Sequence, residues 1–372
     1  MPADPTMTKL EEIIHDEITK SGFIPFARFM ELALYCPQLG YYEQNQDNVG
    51  RQGDFFTSVS VGPLFGELLA FQFDRWFQEQ CEANFNQHCQ LIEAGTHDGK
   101  LAVDILRWLR QFRSQLFSRL EYVIIEPSAR RRQWQRETLL EFLPQVRWVS
   151  SIEELSQIPQ GDSRILFSNE LLDAFPVRRL GWDAPSQRWF EWAVTVESDR
   201  LAWRKIPAEY NSGHAELEAV LPDGYTIEIS PAAEAWYREA ATQLGRGRLV
   251  SIDYGFSGEE RFRPERVDGT LRAYRRHQAS RDLLAYPGQQ DLTSHVDFSA
   301  IQQAGESAGW RTESFQTQAQ FITGIFRRTI EESNGAGSKL QLWPPDRVRQ
   351  FQTLTHPGQL GQVFRVLVQA RV

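Results

Sequence analysis

The chain is poor in cysteine. Its 372 residues hold three, Cys36, Cys81 and Cys89. They are too few for a disulfide framework, and no two stand in the CxxC spacing that holds zinc. An odd count suits a reducing compartment. Long apolar runs are missing as well. No stretch approaches the roughly 20 residues of a membrane helix, so membrane insertion is not expected. The opening segment MPADPTMTKLEEIIHDEITKSG is acidic and lacks an apolar centre, unlike a signal peptide or a transit sequence. These features predict a cytoplasmic protein. Basic charge is in deficit: Lys and Arg total 40 against 49 Asp and Glu, a net charge of −9. Nucleic acid is repelled by such a surface, whereas a cationic substrate is drawn to it. There are no internal repeats and no GxSxG elbow, and no His, Cys and carboxylate group has metal-ligand spacing, so no metal is expected.

Helices and then alternating elements fill the chain. KLEEIIHDEITKSG places Leu10, Ile13, Ile14 and Ile18 at helical spacing and ends at Gly22. PFARFMELALY repeats the pattern up to Pro37, and VGPLFGELLAFQFDRWFQEQ forms a third, amphipathic helix. From Gln90 the rhythm changes. Strands fit Leu91–Ala94, Tyr122–Glu126, Val146–Val149, Ile165–Ser168 and Arg248–Asp253, with helical patterns between most of them. That alternation predicts an α/β fold with a doubly wound parallel sheet. Two domains are expected: a helical N-terminal cap over 1–89 and the sheet domain over 90–372. Between about 180 and 230, WFEWAVTVESDRLAWRKI and YTIEIS alternate in the manner of strands and predict an antiparallel β insertion. WRTESF and GQVFRVLVQARV form a further antiparallel pair. Arg130–Arg132 reads as a solvated helix face.

Three strand ends carry chemistry. LIEAGTHDGKLAVDIL joins an apolar run to a helix through Gly95 and Gly99. A tight turn there lets backbone N–H groups approach a ligand at the helix N-terminus. Only two glycines remain of the GxGxxG pattern, which argues against a pyrophosphate clamp. S-adenosylmethionine carries no phosphate and tolerates a looser loop, and Glu93 suits its ammonium group. Glu126 ends the second strand, where an acid accepts hydrogen bonds from both ribose hydroxyls. Ser128 follows as a ligand contact or a helix cap. At the fourth strand, ILFSNELLDAFPVRRL sets Asn169, Glu170 and Asp173 near the carboxyl edge, where ligands of open α/β sheets bind. Asp253 ends the fifth strand at the same edge. Further on, DLTSHVDFSAI offers Ser294 or Asp297 as a helix cap and His295 as a capping residue or proton acceptor.

The order of these stretches resembles the MidA family of S-adenosylmethionine-dependent methyltransferases. The family includes a mitochondrial complex I assembly factor that methylates arginine. The resemblance rests on FMELALYCPQLGYY, VGRQGDFFTSVSVGPLFGELLA, EAGTHDGKLAVDILR, YVIIEPSARRRQWQ, SNELLDAFPV, IDYG, GTLRAYRRH and PGQQDLTSHVDF. It implies a Rossmann-like methyltransferase fold with S-adenosylmethionine as cofactor. It places Gly53, Asp54, Phe55 and Thr57 over that cofactor, with further contacts from Glu93, Gly95, Gly99 and Glu126. Asn169, Glu170 and Asp173 then face the reaction centre, the two carboxylates gripping a guanidinium in a fork. The implied substrate is a protein, such as a respiratory-complex subunit, and a homodimer is one arrangement to test. The alternatives are a small-molecule methyltransferase or a non-catalytic assembly protein that keeps the fold. GTHDG departs from the family's commoner GxGxG-type turn, and we read it as a working loop.

Overall fold

The computed structural model describes residues 7–44, 57–80, 87–275, 278–335 and 343–371. The expected cofactor contacts Gly53, Asp54 and Phe55, and Cys81, lie outside the described residues. The chain forms two compact units, each assembled from three separated stretches.

The first unit comprises Val49–Leu172, Ala235–Gly255 and Ala300–Val372. Its sheet contains β1 (Cys89–Ala94), β2 (Leu120–Ile125), β3 (Val146–Val149), β4 (Ser163–Asn169), β5 (Gly247–Phe256), β6 (Arg311–Thr317) and β7 (Phe364–Arg371), in the order β6-β7-β5-β4-β1-β2-β3. The strands β5, β4, β1, β2 and β3 run parallel. Every residue of β1 and β4 is buried, which is why their sequences read as apolar runs rather than as alternation. The terminal antiparallel pair forms as expected, with a register shift between Thr312 and Ser314.

Three helices bear on the site: α1 (Leu64–Gln80), α2 (Lys100–Phe112) and α3 (Ala129–Thr138). In α2 the buried residues Leu101, Ala102, Val103, Ile105, Leu106 and Leu109 cover the face that packs on the core. The helix α1 is apolar nearly all round and shares its core with the sheet. Phe73 lies 5.0 Å from Phe167 of β4, ring centre to ring centre.

The second unit comprises Met1–Asn48, Asp173–Glu234 and Phe256–Ser299. Helix Lys9–Ser21 opens with a capping box of Thr8 and Glu11 and closes at Gly22, whose φ of 79° is left-handed. The antiparallel sheet runs Ile24–Pro25, Arg188–Glu197, Arg178–Asp183, Thr226–Ile229, and Arg200–Pro207 pairs with Arg188–Glu197. A smaller sheet pairs Arg272–Arg275 with Gln278–Ser280 and Asp291–Thr293.

The antiparallel strands stand where the sequence placed an insertion, but their unit is larger. Leu10, Phe26 and Phe29 share one core with Val177, Val194, Leu271 and Leu292. The chain therefore does not divide once at residue 89. Helices Lys9–Ser21 and Phe26–Tyr35 close the antiparallel core, whereas α1, which also precedes the first strand, belongs to the parallel one. Chain position grouped them; their apolar surfaces separate them.

Candidate active site

The loop after β1 keeps the shape of a glycine-rich turn without all its glycines. Gly95, His97 and Gly99 have φ of 80°, 50° and 91°. His97 thus occupies the left-handed region favoured by glycine, at a cost of about 1 kcal/mol. The surroundings hold it there. Gly99 N–H donates to the Thr96 carbonyl at 3.0 Å, and the Gln135 amide donates to the His97 carbonyl at 3.0 Å. A Cβ on Gly95 would stand 3.1 Å from the Leu171 side chain, so this position has little room for a larger residue. Asp98 accepts from Lys100 N–H at 3.1 Å and pairs with its ammonium at 2.6 Å. Burial alone would raise the Asp98 pKa, but bonding to His97 and Lys100 and the His97 charge hold it down to about 2.

Glu93 lies beneath this loop and is 2% exposed. Its Oε2 accepts a hydrogen bond from the Tyr122 hydroxyl at 2.6 Å. Burial outweighs that bond and pushes its pKa up to about 8. A cation bound beside this carboxyl would lower its pKa and favour release of the proton to solvent. Glu126 is equally buried. Its carboxylate accepts Ser128 N–H at 3.0 Å and the Gln135 amide at 3.0 Å, with Arg131 at 3.6 Å. Ser128 itself caps α3, accepting Arg131 N–H at 3.2 Å. Any ribose contact at Glu126 therefore shares an already organised carboxylate.

The turn after β4 brings Asn169 and Glu170 together. Glu170 has φ of 53°, again left-handed and strained for a non-glycine residue. Its N–H donates to the Ile252 carbonyl at 2.9 Å. Its Oε1 receives the Asn169 amide at 3.2 Å and Ser58 N–H at 3.3 Å. Asn169 is 7% exposed, and its Oδ1 has no hydrogen-bond partner among the described residues. A buried acceptor left open is costly unless a ligand completes it. Asp253 fixes the turn. Its Oδ2 accepts Leu171 N–H at 3.1 Å and Leu172 N–H at 2.8 Å.

Thr57, the one described residue of GDFFT, serves its own turn: its hydroxyl accepts Ser60 N–H at 3.1 Å, and its N–H donates to Ser60 Oγ at 3.0 Å. Asp173 belongs to the antiparallel unit and Glu170 to the parallel one. Within its own unit, the charges of Asp173 and Asp291 both bear on Tyr42 and Tyr274, and the Tyr42 hydroxyl donates to Asp291 at 2.9 Å. The cap before helix Phe298–Ser307 is Asp297, which accepts Ser299 N–H at 3.0 Å. His295 donates its backbone N–H to Thr270 Oγ1 at 3.1 Å.

Sequence reasoning placed Asp253 at the right edge but missed its work as a clamp. It also missed Gln135 and Ser58, whose contacts span 38 and 112 residues of chain. No local pattern encodes such pairings.

Comparison with known proteins fits this arrangement. Residues 68–316 match the family profile described as "Putative S-adenosyl-L-methionine-dependent methyltransferase". The chain is 28% identical to the mitochondrial protein arginine methyltransferase NDUFAF7 homolog of Drosophila melanogaster, over 96% of this chain and 84% of that protein. It is 28% identical to human mitochondrial NDUFAF7, a protein arginine methyltransferase, over 98% of this chain and 83% of that one. A Burkholderia thailandensis protein crystallised with S-adenosyl-homocysteine superposes with a TM-score of 0.81 at 31% identity, covering 97% of this chain and 92% of that chain. The relatives named as protein arginine methyltransferases are named as mitochondrial, which overturns the cytoplasmic expectation. That expectation leaned on the cysteine count, the lack of long apolar runs and the composition of the opening segment, none of which reports the compartment in which a folded chain works.

Proposed function

Because the chain belongs to the family of S-adenosyl-L-methionine-dependent methyltransferases, we propose that it moves the donor's methyl group onto an arginine side chain of a protein. The open Asn169 Oδ1 beside Glu170 carries this reading. A guanidinium offers several N–H donors and a positive charge. One N–H completes the amide oxygen, and the carboxylate meets the charge. The relatives named as protein arginine methyltransferases support the same acceptor. The resemblance set out above points to a respiratory-complex subunit as the polypeptide.

The residues present fit the cofactor. Glu93 would meet its ammonium, the loop Gly95–Gly99 would meet its carboxylate through backbone N–H groups, and Glu126 would meet its ribose hydroxyls. Bound there, S-adenosylmethionine supplies a methyl group already activated by its sulfonium. The protein's task is then positioning and charge. A guanidinium is a poor nucleophile because its lone pair is delocalised. Glu170 fixes its plane and accepts the proton that methylation releases, while Asn169 selects the nitrogen. Asp173 is a separate candidate, tested by its own substitution to Asn.

The test uses the full chain, methyl-labelled S-adenosylmethionine and an arginine-containing protein extract. Labelled methylarginine should appear after hydrolysis. Glu170→Gln should lose about 100-fold in rate while binding S-adenosyl-homocysteine within a few-fold of wild type. Label confined to small molecules, or full activity in the variant, refutes the reading.

A further inference from the structure

A concavity lies along α2. It measures about 330 Å³ and is walled by the apolar side chains of Val59, Pro63 and Val103 together with Lys100, Asp104 and Arg107. It shares no residue with Glu93, Gly95, Gly99, Glu126, Asn169 or Glu170. Its size reaches the lower end of ligand-binding pockets, roughly 300–1,000 Å³.

The charges around it are not equivalent. Lys100 is held by Asp98 at 2.6 Å. Arg107 donates twice to Glu141, at 2.9 and 2.7 Å. Glu67, facing from α1, accepts from Arg347 at 2.8 Å. Asp104 differs. Among the described residues no donor bonds to its carboxylate, and only burial and the charges of Glu67, Arg107 and Asp98 act on it. Its position is set by packing: a Cβ on Gly66 of α1 would lie 2.6 Å from the Asp104 Cβ. The two helices meet directly at this residue and hold its carboxyl at the groove.

We propose that the groove at Asp104 is a subsite for a cationic side chain, arginine or lysine, of the polypeptide substrate, away from the methyl-transfer centre. The inference rests on the substrate's being a protein. The apolar walls receive the aliphatic stem of such a side chain and Asp104 receives its charge. Lys100 pairs with Asp98, and Arg107 shares Glu141 with Arg110, so Asp104 is the carboxylate of the groove to which no donor among the described residues bonds. The groove thereby selects polypeptides with a second basic residue beside the target arginine. Burial first, and Glu67 second, push the Asp104 pKa up to about 6, against the opposing pull of Arg107. Occupancy should therefore fade as acid protonates the carboxylate.

The probe is a fluorescein-labelled Gly-Arg-Gly-Arg-Gly peptide, titrated with the full chain by fluorescence anisotropy without any methyl donor. Asp104→Asn should weaken binding about two- to fivefold at pH 7.5, the range of a partly exposed ion pair. The loss should shrink at pH 5, where wild-type Asp104 is largely protonated. Val59→Trp, which fills the groove, should weaken binding at both pH values. Thermal melts by circular dichroism confirm that both variants are folded. Equal binding by wild type and Asp104→Asn at pH 7.5 overturns the proposal. So does tighter binding of a Gly-Glu-Gly-Glu-Gly peptide that depends on Lys100. Because no methyl group moves in this assay, its failure is separable from failure of the arginine reading.

Discussion

Two turns end adjacent strands of one sheet, and each forces a residue with a side chain into the left-handed region. His97 after β1 has φ of 50°, and Glu170 after β4 has φ of 53°. The backbone strain is alike, but its support is not. His97 is secured through main-chain carbonyls, by bonds that any residue at 97 would allow. Glu170 is held by its neighbours and uses its own carboxylate to receive Ser58 and Asn169. At the first turn main-chain bonds hold the shape, and the side chain turns to its neighbour Asp98. At the second, the shape serves the side chain. Strain at a non-glycine position persists when function or surroundings demand it, and these two turns separate the cases.

Acid and base should divide them most strongly. The buried Glu93 has a folded pKa near 8, above its ordinary value of 4.5. The folded state keeps this proton through neutral pH while the unfolded state releases it. Its contribution is thus fully present below pH 4.5 and is lost as pH rises towards 8, by up to about 5 kcal/mol. Glu93→Gln should flatten that slope in urea unfolding measured at pH 5, 6, 7 and 8. An unchanged slope would remove Glu93 from beneath the loop.

Asp253→Ala attacks the other turn. It strips the acceptor from two N–H groups, those of Leu171 and Leu172, and should cost about 4 kcal/mol. A loss under about 1 kcal/mol would show that the turn stands without its clamp.

Glycine substitutions at the two strained positions sharpen the contrast. His97→Gly should relieve strain by up to about 1 kcal/mol, seen as a higher melting temperature, whereas Glu170→Gly also strips the acceptor from Ser58 N–H and the Asn169 amide and should not melt higher. Methyl transfer should survive in His97→Gly within a few-fold and collapse in Glu170→Gly. Equal behaviour of the pair would erase the distinction drawn here.

The parallel sheet was legible because strands buried on both faces are largely apolar, as in Leu91–Ala94 and Ile165–Ser168. Gly22 shows the end of its helix locally. The strand ends were legible too, so Glu93, Glu126, Asn169 and Glu170 could be named in advance. The partition of the first 80 residues was not. Ile24–Pro25 joins a sheet through Val194 and Ala193, some 170 residues away, and no local pattern announces that register. The open acceptor on Asn169 was hidden for the same reason. Satisfaction is a property of the assembled neighbourhood, not of a residue type.

The six alternating stretches of the two units bear on how the chain tolerates cutting. Each core draws on segments from the beginning, middle and later parts of the polypeptide. A single proteolytic nick at 234–235 or 255–256, where the chain changes unit, should therefore leave fragments that co-purify under native conditions and part only in denaturant.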